Sequence, residues 1–405
     1  MRGSRLAAGM GIVLVAVLLA WFASSDALKV WYAHSRSTAE LERAVKNDPQ
    51  SPFPAYELGI RYARAGRLPE AIGLLERACQ TDPNSAEAHF ALGKAYALTN
   101  RPQDALTELQ KAALLAPSNG QVFRFLGREL RLTGDVEGAK AAELKATNLT
   151  PKDAEAWYQL GVLYPSGAPD EADGRPYLKK AVELDGKNAV YVYAYGQSLT
   201  DGGQFSDAIP YLRVAVSQLS QDPSAHFLLG LALHRNGGRA DIDAAEAELK
   251  RAVELNPNDF RAHFELANML TERGSYAQAL PVLETAARLN PTRPEIWSAL
   301  RMASDRTGNK ARAAEAQAQF DTLRKDHVEM EKLKSHLAQE PNDDAARERV
   351  GQLLEKVGNY RSAAIYYTAV IEHDPANSRV RARLAGIARF LAQNGAQGAN
   401  GGPPR

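Results

Sequence analysis

The sequence holds a single cysteine, Cys79. One thiol cannot build a disulfide framework or a multi-cysteine metal centre within a chain. Cys79 reads as a packed small residue, with a redox role as the lesser alternative. An excess of charge is also missing. The 49 Lys and Arg against 48 Asp and Glu leave a net +1, so no bulk attraction favours nucleic acid or an acidic polymer. No Gly-rich phosphate loop lies between a strand and a helix, and no region is rich in strand formers. The eight histidines are scattered. His226 and His234 are eight residues apart with no third ligand beside them, and the expectation is no metal and no other cofactor.

What the chain does have is recurrence. Ala154 to Tyr164 reads AEAWYQLGVLY, and its Leu-Gly step or a near relative returns at Gly59, Gly93, Gly127, Gly161, Gly196, Gly230, Ala267, Arg301 and Gly351. The intervals are 34, 34, 34, 35, 34, 37, 34 and 50 residues. A period of this length marks stacked supersecondary units. Paired alanines seven apart follow in most units, as at Ala71 and Ala78 or Ala208 and Ala215, and an X-Pro step ends them at Pro83, Pro117, Pro151, Pro257 and Pro291. Leu58 and Tyr62 lie one turn apart on a first helix, while Gly59 and the alanines let a second helix approach. Gly66, Gly134, Gly203, Gly274 and Gly358 fall between the helices of a unit, where a left-handed cap suits glycine.

On these residues the sequence resembles the tetratricopeptide repeat (TPR) family over most of its length. The resemblance implies an all-α, right-handed solenoid of eight to nine helix-turn-helix repeats. Each repeat contacts only its neighbours, so 405 residues need not mean several globular domains.

Residues 1–25 are a transmembrane or signal-anchor segment: Arg2 and Arg5 precede an uncharged run from Leu6 to Ala23, long enough to span ~30 Å of hydrocarbon. The nearest positive charges favour the inside, which places the remainder on the extracytoplasmic, periplasmic side. A cleaved signal peptide and an exported soluble protein form the other reading. Residues 26–36 are a linker, 37–308 the TPR solenoid, 309–341 an extended helical segment, 342–393 a degenerate repeat with a capping helix, and 394–405 a tail expected to be disordered. In the 309–341 segment Ala316, Phe320, Leu323, His327, Met330 and Leu337 form an apolar stripe, with a break allowed near Lys325 and Asp326. Packing on neighbours is preferred there to a coiled-coil dimer seam, since the heptads are too few. Arg379, Arg381, Arg383 and Arg389 suit a solvated cap.

In the TPR family first helices line a concave groove that holds peptides. Carried over, the groove would bear Tyr56, Phe90, Arg124, Tyr158, Tyr193, Phe227 and Phe264 in successive units. These are either an aromatic ladder for an extended partner or packing between repeats. Arg124, Arg128 and Arg131 share one face of one helix, with Arg64 and Lys94 flanking them in the family frame. Guanidiniums so grouped suit a carboxylate or phosphate, although the Lys and Asn pattern of chaperone-tail clamps is absent. The alternative is a solvated face. The 309–341 stretch is too small for a catalytic domain. The expected function is therefore a non-enzymatic, membrane-tethered scaffold or adaptor for proteins or peptides, including ones with an acidic segment. The alternative is an accessory subunit of an envelope enzyme complex for polysaccharide, glycosyl transfer or cofactor maturation. Nothing in the sequence supports a homo-oligomer.

Overall fold

The computed structural model describes residues 36–164, 173–238 and 241–393. The membrane segment expected at 1–25 and the tail at 394–405 lie outside the described residues. Among the described residues there are twenty helices and no strand, and no helix is long and apolar enough to cross a membrane.

The chain divides into two compact units after Ser198. The first contains α1 (Thr38–Asn47), α2 (Pro52–Arg64), α3 (Leu68–Thr81), α4 (Ala86–Leu98), α5 (Pro102–Leu115), α6 (Gly120–Leu132), α7 (Val136–Leu149), α8 (Ala154–Val162), α9 (Arg175–Leu184) and most of α10 (Ala189–Asp201). The second contains α11 (Phe205–Gln218), α12 (Pro223–Asn236), α13 (Ile242–Leu255), α14 (Phe260–Glu272), α15 (Tyr276–Leu289), α16 (Pro294–Arg306), α17 (Lys310–Gln339), α18 (Asp344–Lys356), α19 (Tyr360–His373) and α20 (Ser378–Gln393). Consecutive helices pack as successive hairpins from α1 to α9 in the first unit and from α11 to α20 in the second.

One contact explains the repeated Leu-Gly step. A Cβ on Gly59 would sit 2.8 Å from Leu75 Cγ and 3.3 Å from the Ala71 carbonyl oxygen, so only glycine lets α2 and α3 meet there. Gly93 meets Leu109, Gly161 meets Leu178 and Gly230 meets Leu249 in the same way. Each of these leucines is buried, worth roughly 1.5–3 kcal/mol. At two further glycines the partner is not leucine. Gly351 faces the Tyr367 ring, and Gly127 faces the carboxylic side chain of Glu143.

The turns follow the same logic. Gly66 takes φ +76° between α2 and α3, and at the corresponding turn after α4 the glycine is replaced by Asn100 at φ +57°, a residue that tolerates this region. The half-unit at the start of the described chain is held by Ser37 and Glu40. Ser37 Oγ accepts from the Glu40 amide at 3.3 Å, and the Ser37 amide donates to Glu40 Oε2 at 2.6 Å, a reciprocal cap that satisfies two helix-end groups.

One expectation in the second unit needs correction, at His327, and two others gain detail. α17 runs unbroken through Lys325 and Asp326, because neither residue interrupts helical hydrogen bonding. Its N-terminal part buries Ala313, Ala316 and Leu323, while Met330, Leu333 and Leu337 pack on the core of α18 to α20. His327, assigned to the apolar stripe, is exposed. The α20 arginines are all exposed, and two of them are also paired. Arg379 donates to the buried Glu348 at 2.6 Å and Arg383 to Glu355 at 2.8 Å, tying the last helix to α18.

Candidate ligand-docking groove

In the first unit α2 and α4 enclose a cavity of about 400 Å³. Ile60, Ala63, Ala91 and Leu98 make its apolar lining, Tyr56 and Phe90 stand in it, and Arg64 and Lys94 reach it with their cationic side chains. Leu98 is 64% exposed, a large apolar side chain left open to solvent beside the cavity. Burial, with the charges of Glu57 and Glu87, pushes the Tyr56 phenol up to about 12, so it stays a neutral hydrogen-bonding group.

The neighbouring repeat adds an aromatic and cationic cluster. The Phe90 ring meets Phe125 of α6 edge-on at 5.4 Å. Around Phe125 stand Lys94 Nζ at 5.0 Å and the guanidinium carbons of Arg124 and Arg128, each at 4.9 Å. A ring face attracts a cation, and here one side chain gathers three. Lys94 feels the crowding. Burial, and then the charges of Arg124, Arg64 and Arg128, hold its ammonium below the usual lysine range. Among the described residues neither Arg64 nor Lys94 has a carboxylate within ion-pair distance.

The arginines of α6 are less uniform than their spacing implies. Arg124 Nε lies 3.2 Å from Asp153 Oδ2 without hydrogen-bond alignment. Arg128 donates through Nε to the buried Glu129 at 3.0 Å. Arg131 is exposed and acts electrostatically on Tyr158. Three equivalent free guanidiniums are therefore not present. The compensated charges belong to Arg124 and Arg128, and among the described residues the uncompensated ones belong to Arg64, Lys94 and the exposed Arg131.

Behind Gly127 lies Glu143, 1% exposed, with neither carboxyl oxygen hydrogen-bonded among the described residues. Burial pushes it up to about 8. The Arg124 and Arg131 charges oppose that shift, while Glu155 and Asp153 add to it. Near neutral pH its carboxyl is mainly protonated and offers little charge to neutralise Arg124 or Arg131.

The structure thus brings Tyr56, Arg64, Phe90, Lys94, Arg124 and Arg128 together. Further along the first unit, Tyr158 is half-buried with its ring 5.1 Å from Tyr191, whose hydroxyl donates to Glu155 at 2.7 Å, and Tyr193 is half-buried on α10. Phe227 and Phe264 belong to the second unit. Both are half-buried there, and Arg261 stands 5.3 Å over the Phe227 ring. Spacing alone missed Phe125, Ile60, Leu98 and Glu143. A signal for Glu143 existed, since it occupies the place that Leu75 and Leu109 hold in their repeats.

With this geometry in hand, comparison decides the repeat type. Residues 59–100 match a TPR repeat family model, and residues 86–119, 193–241 and 238–303 match tetratricopeptide repeat models. The chain carries tetratricopeptide repeats. No curated protein matches it. Among solved structures, that of MamA is 24% identical, covers 40% of this chain and 95% of its own, and superposes with a TM-score of 0.37. Pseudomonas aeruginosa pilF is 21% identical over 58% of this chain and 100% of its own, with a TM-score of 0.45. YrrB, described as a TPR protein with an unusual peptide-binding site, is 18% identical over 56% of this chain and 97% of its own, with a TM-score of 0.33. Overlaps at these TM-scores carry no functional argument, and the reading of the groove rests on its own residues.

Proposed function

We propose that the chain is a non-enzymatic scaffold whose first unit docks an extended peptide carrying a carboxylate beside an apolar side chain. One observation carries this reading: Arg64 and Lys94 border a mainly apolar cavity, and neither is ion-paired among the described residues, although Glu87 also lines it. Burial first, and then its cationic neighbours, disfavour the charged form of Lys94, and an arriving anion relieves the repulsion. The apolar side chain of the ligand fills the space between Ile60 and Leu98, and its carboxylate meets the two cations. Aromatic walls add contact area at low entropic cost.

Binding of a peptide of alternating leucine and aspartate, labelled with fluorescein, to the full chain in detergent tests this. Its leucine and asparagine counterpart controls for charge. The aspartate peptide is expected to bind at least about tenfold more tightly, as charge-assisted hydrogen bonds require. That preference disappears in the Arg64→Ala, Lys94→Ala variant with an unchanged helical melt. Equal binding of the two peptides would sink the reading.

The scaffold is tethered to a membrane by residues 1–25 with its repeats on the extracytoplasmic side, a reading supported by the uncharged run from Leu6 to Ala23 behind Arg2 and Arg5. Retention in the membrane pellet through an alkaline carbonate wash is the expected result, and release into the supernatant contradicts it.

A further inference from the structure

Away from the groove, the chain's only cysteine lies at the junction of two repeats. Cys79 on α3, His89 on α4 and Glu108 on α5 place one ligand atom each within 4.8 Å of one another. Cys79 and His89 are buried and Glu108 is half-buried. The imidazole is oriented as a metal ligand would be. His89 Nε2 lies 3.1 Å from the Pro83 carbonyl oxygen, which can only accept, so Nε2 carries a proton and Nδ1 faces the other two groups. A carbonyl partner on the far nitrogen is the usual support of a ligating histidine. Lys111 holds the other oxygen of Glu108 at 2.8 Å and leaves Oε2 directed inward, 2.5 Å from Nδ1.

A second copy of the histidine and glutamate pair supplies an internal control. His226 Nδ1 lies 2.6 Å from Glu248 and its Nε2 lies 3.2 Å from the Ser220 carbonyl oxygen. The pair alone is therefore a device of the repeat, closing a hairpin. At the place of Cys79 in that copy stands Val216. The thiol is what distinguishes the first.

We propose that Cys79 Sγ, His89 Nδ1 and Glu108 Oε2 bind a zinc-class divalent ion, with water at the fourth position. The donor set of one thiolate, one imidazole and one carboxylate suits zinc, and tetrahedral bonds of ordinary length set ligands about 3.5 Å apart. Nδ1 and Oε2 open slightly to admit the ion. The proton between them and the thiol proton are released, while Nε2–H stays on Pro83. Three helices from two repeats become joined, and α4, which carries Phe90 and Lys94 into the groove, is held against both neighbours.

Cobalt titration tests this on the reduced, chelator-stripped, tag-free full chain in detergent, since cobalt(II) reports a thiolate ligand by charge-transfer absorption and this chain has one thiol. The expected result is a band saturating at one equivalent and bleached by zinc. Cys79→Val copies Val216 and so preserves folding. It should lose the band and weaken zinc binding by about tenfold or more, whereas His226→Gln changes neither. Absence of the band in the wild-type chain at excess cobalt, or unaltered zinc affinity in Cys79→Val, would overturn the proposal.

Discussion

Two buried glutamates, one in each unit, are treated in opposite ways. Glu265 on α14 is 5% exposed and fully engaged. Arg235 donates to it through Nε and a terminal nitrogen, both at 3.0 Å, and His234 Nδ1 lies 2.7 Å away. These partners hold its carboxyl below the usual range despite burial. Glu143 on α7 is 1% exposed and has no hydrogen-bond partner among the described residues. In the second unit a buried acid is consumed by internal pairing. In the first, Glu143 is kept neutral by burial while Arg64 and Lys94 have no ion pair, and the proposed docking site is placed there.

The largest effect expected on this comparison is at Glu265. Glu265→Leu removes the partner of Arg235, whose side chain is 47% exposed, and leaves His234 with Glu272 alone, and should destabilise the second unit by about 2–3 kcal/mol, read as faster amide exchange in α12 and α14. Because its folded value is depressed, the stability Glu265 contributes is present above the ordinary carboxylate range and is lost as pH falls through the depressed value. Exchange in α12 and α14 that is unmoved by the substitution would mean the pairing is ornamental.

A smaller change of opposite sign is expected at Glu143. Glu143→Leu restores the contact that Gly59 makes with Leu75 and removes an unpartnered buried polar group, and should stabilise the first unit by about 1–2 kcal/mol. The pH dependence has a fixed sign. Its folded value, about 8, lies above the ordinary 4.5, so the unfolded chain gives up this proton first. Stability is greatest below 4.5, declines as pH rises towards 8, and levels off beyond. Glu143→Leu should flatten that slope in the exchange of α6 and α7. A variant less stable than wild type at neutral pH would show that Glu143 is doing something its surroundings here do not require.

Much of the fold was legible because it is local. The period, the glycines at turns and the paired alanines each act within one or two neighbouring helices, so each left its own mark in the sequence. Continuity of α17 was harder to read, since charged residues such as Lys325 and Asp326 are compatible with helix or turn. Arg379 and Arg383 are exposed, but their pairing was not legible because their carboxylates, Glu348 and Glu355, come from a different helix. The site was half legible. Tyr56, Arg64, Phe90 and Lys94 follow from register, but whether a cation is paired depends on residues elsewhere in the chain, as Asp153 does for Arg124 and Glu129 for Arg128. The inference from three arginines was displaced for that reason towards Arg64 and Lys94.

The central claim is that ligand charge is met in the first unit and not in the second. Hydrogen exchange of the full chain, with and without a saturating leucine and aspartate peptide, tests it most directly. The account predicts slowed exchange in α2 and α4, around Tyr56 to Arg64 and Phe90 to Leu98, with α12 and α14 unchanged. Slowing in α12 and α14 instead, or none anywhere under conditions where the peptide is bound, contradicts it.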